Sequence, residues 1–155
     1  MKRKGFSGAV AAVAACMTAS PALASSFSGS TFTATGSMSI SAPGVPTLAC
    51  TTIFSGTVNA DGTATITGAN LAGGSLNICA GLTLTTPISL AANSTTSVIV
   101  SSFQINGPVS CGPQVVTAAW VNGSPSQFNI FPVTVNPGNC TISVHVNVTG
   151  ATIVP

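Results

Sequence analysis

Few side chains in this sequence could do chemistry, and the cysteines come first. The chain has 155 residues, five cysteines, one histidine and one acid. Cys50 and Cys79 are separated by the same interval as Cys111 and Cys140. Four cysteines in an exported chain read as two disulfides, and they allow three pairings. The equal intervals favour the sequential bridges Cys50–Cys79 and Cys111–Cys140. The alternative use of four cysteines is a metal site, but no CxxC pair supports one. His145 is the only histidine, the residue type most often used as a general acid or base. It falls on the polar side of a strand, where an exposed or hydrogen-bonded role is the ordinary one. Asp61 precedes Gly62 in a turn, where a carboxylate accepts backbone hydrogen bonds. With no third group to orient an acid or base, the residues call for no enzyme, no metal and no cofactor.

Charge is nearly absent. Lys2, Arg3 and Lys4 are the only basic side chains, and Asp61 is the only acid. Beyond residue 24 there is nothing cationic to displace phosphate counterions, so nucleic acid is not a partner. Paired-carboxylate catalysis is excluded for the same arithmetic reason. Disorder normally combines low hydrophobicity with high charge, and both are reversed here.

The three basic residues have another use. They form the cationic start of an export signal, with Gly5 to Met17 as its apolar stretch. Ala22-Leu23-Ala24 is a small-x-small cleavage signal, which places cleavage between Ala24 and Ser25. The competing reading takes Val13-Ala14-Ala15-Cys16 as a lipobox with Cys16 acylated, and so a membrane anchor. Beyond the signal no apolar run reaches the ~20 residues of a membrane-spanning helix. The expected location is outside a bacterial cell or on its outer surface. The chain then divides into a signal (1–24), a flexible leader (25–29) and one domain (30–155).

That domain reads as successive strands. Over Ser30 to Ile40, Phe32, Ala34, Gly36, Met38 and Ile40 fall on one face and Thr and Ser on the other. Further strands are expected over Leu48 to Val58, Thr63 to Thr67, Leu76 to Cys79, Leu82 to Leu90 and Thr95 to Ile105. Val115 to Val121, Gln127 to Val135 and Thr141 to Thr149 complete the series. Asp61-Gly62 and Asn122-Gly123 are hairpin signals. Pro132 belongs at an edge or bulge. Trp120 and most phenylalanines are core, with Phe131 outside it. No stretch has helical periodicity. Closely spaced strands and Gly/Pro/Asn turns predict an antiparallel β-sandwich of Ig-like or pilin-like type, stapled by two disulfides.

Exposed strand edges are usually guarded by charge or Pro, and here Lys and Arg are missing. Such edges invite strand addition from another copy. Ser30 to Ile40 is therefore read either as the domain's own first strand or as a strand donated to a neighbour. The expected behaviour is self-association into an oligomer or filament. The alternative is a module that binds apolar ligands.

Several short segments carry a resemblance. They are Phe32-Thr33-Ala34-Thr35-Gly36, the Cys50 strand with Phe54-Ser55-Gly56-Thr57-Val58, Asp61-Gly62 with Ala64-Thr65-Ile66-Thr67, and Cys79. Together they resemble the bacterial protein activator of alkane oxidation family. That resemblance implies a secreted or surface protein that assists growth on alkanes and is associated with biofilm. It implies no catalytic residues. A weaker likeness of architecture is to secreted pilus subunits.

Overall fold

The structure is a computed structural model that describes residues 24–155. The export signal and Cys16 lie outside the described residues. Nine strands follow in order: β1 (Ser26–Ala42), β2 (Val45–Val58), β3 (Ala64–Gly73), β4 (Thr83–Leu84), β5 (Ile88–Ser94), β6 (Ser97–Asn106), β7 (Cys111–Val121), β8 (Ser126–Val135) and β9 (Cys140–Val154). Every pairing between them is antiparallel. The alternation seen in the sequence becomes inside and outside. Phe32, Ala34, Met38 and Ile40 of β1 are buried, as are Ile142, Val144, Val146 and Val148 of β9.

The two-layer sandwich is the expectation that the fold corrects. The sheet order is β4-β6-β5-β3-β2-β1-β9-β8-β7, and β6 also pairs β7. Eight strands therefore close into an up-and-down barrel, with the two-residue β4 as an addition beside β6. The closing ladder joins β1 to β9, from Ser26↔Val154 to Ser41↔Thr141. Closure has a local cause. Bulges interrupt the ladders between Gly29 and Thr33 and between Ser55 and Gly56, and bulges coil a sheet. Gly36 and Gly56 let strands approach where the sheet bends: a Cβ on Gly36 would strike the His145 carbonyl, and one on Gly56 the Phe32 ring. With β1 17 residues long and β9 15, one coiled sheet wraps onto itself instead of splitting into two layers.

Two further expectations change, and the choice between own strand and donated strand falls to the first. The segment 25–29 is not a free leader, because Ser26 to Gly29 begin β1 and Phe27 is buried. Leu76 to Cys79 is not a strand but part of a 3-10 segment, Ser75–Gly81. Leu76 and Asn77 there have φ of 57°, which a pleated strand cannot accommodate. Most consequentially, Ser30 to Ile40 offers no free edge. It is paired with β2 on one side and β9 on the other within its own chain, and closure is the device that removes edges from a sheet.

One junction is laced differently. Pairing of β7 with β8 is confined to Ala119↔Asn129, Trp120↔Phe128 and Val121↔Gln127. Beyond it, Pro113 lies on β7 and Pro132 on β8, and neither has an N–H to give a ladder. A bulge falls between Ile130 and Val133. The Gln114 side chain substitutes at the far end, donating to the Thr134 carbonyl at 3.3 Å and accepting from the Asn136 N–H at 2.6 Å. Gly112 N–H to the Pro137 carbonyl (2.9 Å) and the Cys111–Cys140 disulfide complete that end.

Thr52 of β2 faces the core, is fully buried, and its hydroxyl has no hydrogen-bond partner. An unpaired buried hydroxyl costs about 1–3 kcal/mol in desolvation. Thr52→Val, which keeps the shape, is expected to stabilise the fold by about 1 kcal/mol. Urea unfolding checks this, and a loss of stability would mean that the hydroxyl is satisfied after all.

Candidate functional site: an apolar barrel interior

The strand alternation sends nearly every apolar side chain inward, so the barrel's interior is the largest apolar feature of the chain. Its aromatic part gathers at the end where β1 begins and β9 ends. Phe27 and Trp120 meet edge-on with centroids 5.4 Å apart, and Trp120 meets Phe128 the same way at 6.5 Å. Beside them is a cavity of about 20 Å³, lined by Phe27, Phe32, Phe54, Trp120 and Phe128 among others. A second cavity of about 10 Å³, lined by Phe54, Ile66, Phe103, Phe128 and Ile130 among others, lies on the other side of a partition shared with the first. Phe54, Ile66 and Phe128 make that partition. Both spaces are lined only by apolar side chains that offer a water no partner, so they are dry packing voids. A hydrocarbon would reach them only by displacing side chains.

Asn122 closes this end of the barrel and was not visible as a functional residue in the sequence. Its Oδ1 accepts from Trp120 Nε1 at 2.7 Å and from the Ile153 N–H at 2.9 Å, while its Nδ2 donates to the Ile153 carbonyl at 2.7 Å. The amide thereby acts as one extra peptide unit tying the end of β7 to β9. Ser126, buried beside it, donates to the Ala151 carbonyl at 3.2 Å. The Asn-Gly pair signalled a turn, but no local pattern shows what a turn side chain will meet across the barrel.

The outer surface has the opposite character. Cross-strand neighbours such as Thr33↔Ser55, Ser37↔Thr51, Ser39↔Ser143 and Ser41↔Thr141 line it with hydroxyls. A barrel that spans a lipid bilayer is apolar outside and polar within, so this orientation is the reverse. No helix among the described residues is long and apolar enough to cross a membrane.

The remaining candidate residues do not converge. The disulfides are Cys50–Cys79 and Cys111–Cys140. His145 sits outside on β9, its Nδ1 3.0 Å from Asn129 Oδ1 and its ring edge-on to Phe131. Asp61 is fully exposed in the β2–β3 turn. The Thr63 hydroxyl donates to its Oδ1 at 2.6 Å and the Thr63 N–H at 3.0 Å. These bonds, the hydroxyl's first, hold its carboxyl below the ordinary value of 3.8. No group of three metal-ligating residues forms among the described residues.

Asp61 carries a pH prediction. Its carboxylate is easier to ionise in the folded chain than in the unfolded one. Its contribution to stability is therefore complete above the unfolded value and lost as pH falls through the folded one. Melting temperature should dip slightly below pH 3.8, and Asp61→Asn should remove that part of the acid dependence. An identical acid limb in the variant would show that the turn carboxylate does not contribute.

Comparison with known families matches the whole chain, residues 1–155, to a family described as alkane oxidation protein activator PraA/PraB-like. Neither curated proteins nor solved structures gave a match.

Proposed function

Because the chain belongs to the PraA/PraB-like family of alkane oxidation protein activators, we propose that it works outside the cell as a non-enzymatic accessory that takes up hydrocarbon. The observation that carries this reading is the barrel's orientation: an apolar, aromatic interior inside a hydroxyl-lined, nearly uncharged shell. Such a shell stays hydrated while the interior supplies the solvent that a hydrocarbon prefers. Export is supported by the two disulfides, which persist in oxidising compartments. It is also supported by the start of β1 at Ser26, since cleavage after Ala24 would leave the barrel whole. N-terminal sequencing of protein recovered from culture medium should begin at Ser25. Recovery of acylated protein anchored at Cys16 would correct the location from free to membrane-attached.

The direct test is ligand-linked stability. A ligand that binds only the folded state at 100 times its Kd stabilises by about 2.7 kcal/mol. Dodecane delivered from cyclodextrin should raise the melting temperature of the oxidised protein, while cyclodextrin alone should not. No shift across alkanes of increasing length would overturn hydrocarbon uptake.

A second reading, a self-associating filament or biofilm-matrix subunit, is favoured by one observation. Asp61 is the only acid in the chain, and residues 25–155 contain no Lys or Arg, so long-range repulsion between copies is negligible. Because β1 is paired on both edges, copies would associate through faces, or through β1 only if it left its own barrel. Electron microscopy of the secreted, unreduced protein decides: regular filaments support this reading, and discrete monomers exclude it.

A further inference from the structure

Resting on the hydrocarbon reading above, we propose that the unlaced stretch between β7 and β8 is the door by which a linear hydrocarbon enters the barrel. Between the three ladder pairs at Ala119–Val121 and the Gln114 contacts, the two strands face each other without register. This window covers residues 115–118 of β7 and 130–133 of β8. Parting it breaks no ladder, whereas parting β1 from β9 would break one that runs almost the length of both strands; the β3–β5 ladder is equally short, but the 3-10 segment Ser75–Gly81 packs against β3 there. Pro132 within the window has no N–H to offer a ladder, which keeps it unlaced and hinders a foreign strand from pairing there.

The rim fits the occupant. The outside of the barrel is mainly hydroxyl-lined, yet four of the seven large apolar side chains exposed among the described residues belong to β6, β7 and β8. They are Ile99, Val115, Val121 and Phe131. Val115 and Phe131, 61% and 63% exposed, flank the window itself. Behind it, Val116, Ala118, Phe128 and Ile130 face inward. Ile130 and Phe128 line the smaller cavity, and Phe128 is also a wall of the larger one beside Trp120. Apart from the outward-facing Thr117, the path from rim to interior is thus apolar. A chain with polar groups would leave water for a lining that offers them no partner, so the fitting ligand is a saturated hydrocarbon chain. Entry requires the Phe128 ring to swing aside, since the cavities as they stand are too small.

Trp120 is the chain's single tryptophan and only 2% exposed, so a brominated alkane can quench it only from inside. With 1-bromododecane delivered from cyclodextrin, wild-type fluorescence should be quenched saturably. V115D/F131D, which charges the rim at two exposed positions, should slow quenching at least tenfold. I53D, charging a half-exposed apolar position on β2 away from the seam, should leave the rate unchanged. Equal rates in all three would overturn the door while leaving hydrocarbon uptake standing. Absence of quenching in wild type would also overturn the door. A dodecane-induced rise in melting temperature would then place the ligand elsewhere, and no rise would remove both proposals. Should the double variant not fold, hydrogen exchange on the wild type decides: exchange at 115–118 and 130–133 should change on adding dodecane, and unchanged exchange overturns the door.

Discussion

Replacing Cys111 and Cys140 together by alanine is expected to cost about 3–4 kcal/mol, which lowers the melting temperature by roughly 10 °C. The magnitude follows from releasing a closed loop of 29 residues in the unfolded chain. Cys50–Cys79 closes a loop of the same size, so loop entropy alone predicts equal losses for the two bridges. Any difference must therefore come from the folded state. Cys50 sits on β2 between two complete ladders, so β2 keeps its place without the bridge. Cys111–Cys140 instead clamps the end of the β7–β8 junction, whose ladder, like that of β3 with β5, has only three pairs. Its removal should loosen β7 and β8 in hydrogen exchange at temperatures where the rest of the barrel is still protected. The C50A/C79A variant should lose similar global stability without that local loosening. If both variants loosen β7–β8 alike, the disulfide is not standing in for the missing ladder.

Trp120→Ala is expected to cost about 3–5 kcal/mol, the range for emptying a large aromatic site that cannot collapse. Phe27, Phe128 and Asn122 pack on or bond to Trp120 but are also held by their own strands and bonds, so they cannot close the emptied space completely. Phe27 has a second tie, its N–H donating to the Gly62 carbonyl at 2.8 Å. Without the indole, the start of β1 keeps that bond and its ladder to β9, from Ser26↔Val154 to Gly29↔Ala151, but loses its aromatic packing, so hydrogen exchange at residues 26–29 should rise before that of the rest of β1. Trp120→Phe separates the two roles of the side chain. It keeps an aromatic ring but deprives Asn122 of one donor, and should cost about 1–2 kcal/mol. Asn122→Ala should cost at least as much, because it also strands the Ile153 N–H and carbonyl. In a double-mutant cycle W120F and N122A should be clearly non-additive. Strict additivity would mean that the Trp120–Asn122 hydrogen bond contributes nothing to closing the barrel.

Much of the fold was legible in order of residues. Alternation over Ser30 to Ile40 and Thr141 to Thr149 assigns inside and outside correctly, because a pleated strand turns each successive side chain to the other face. The Asp61-Gly62 and Asn122-Gly123 turns were legible because their chemistry is local. Strand ends were less so: β1 begins earlier than its clean alternation, since Phe27 gains its partner Trp120 from a strand far along the chain.

What the sequence by itself determined is most of the strands, though not the 3-10 turn at Leu76 to Cys79 or the break between Leu84 and Ile88, with their buried faces, the near absence of charge and the resemblance to a family. Whether those strands make two layers or a ring was decided only in three dimensions. That choice depends on β1 meeting β9, and on bulges and glycines whose effect is a bend rather than a pattern. The same holds for the candidate site. Pro113 and Pro132 are plain in the sequence, but only the barrel sets them on facing strands. Asn122 reads as a turn residue until Ile153 arrives beside it. Local physics writes alternation and turns into the chain, whereas closure, clamps and seams arise from contacts between residues that the chain itself keeps far apart.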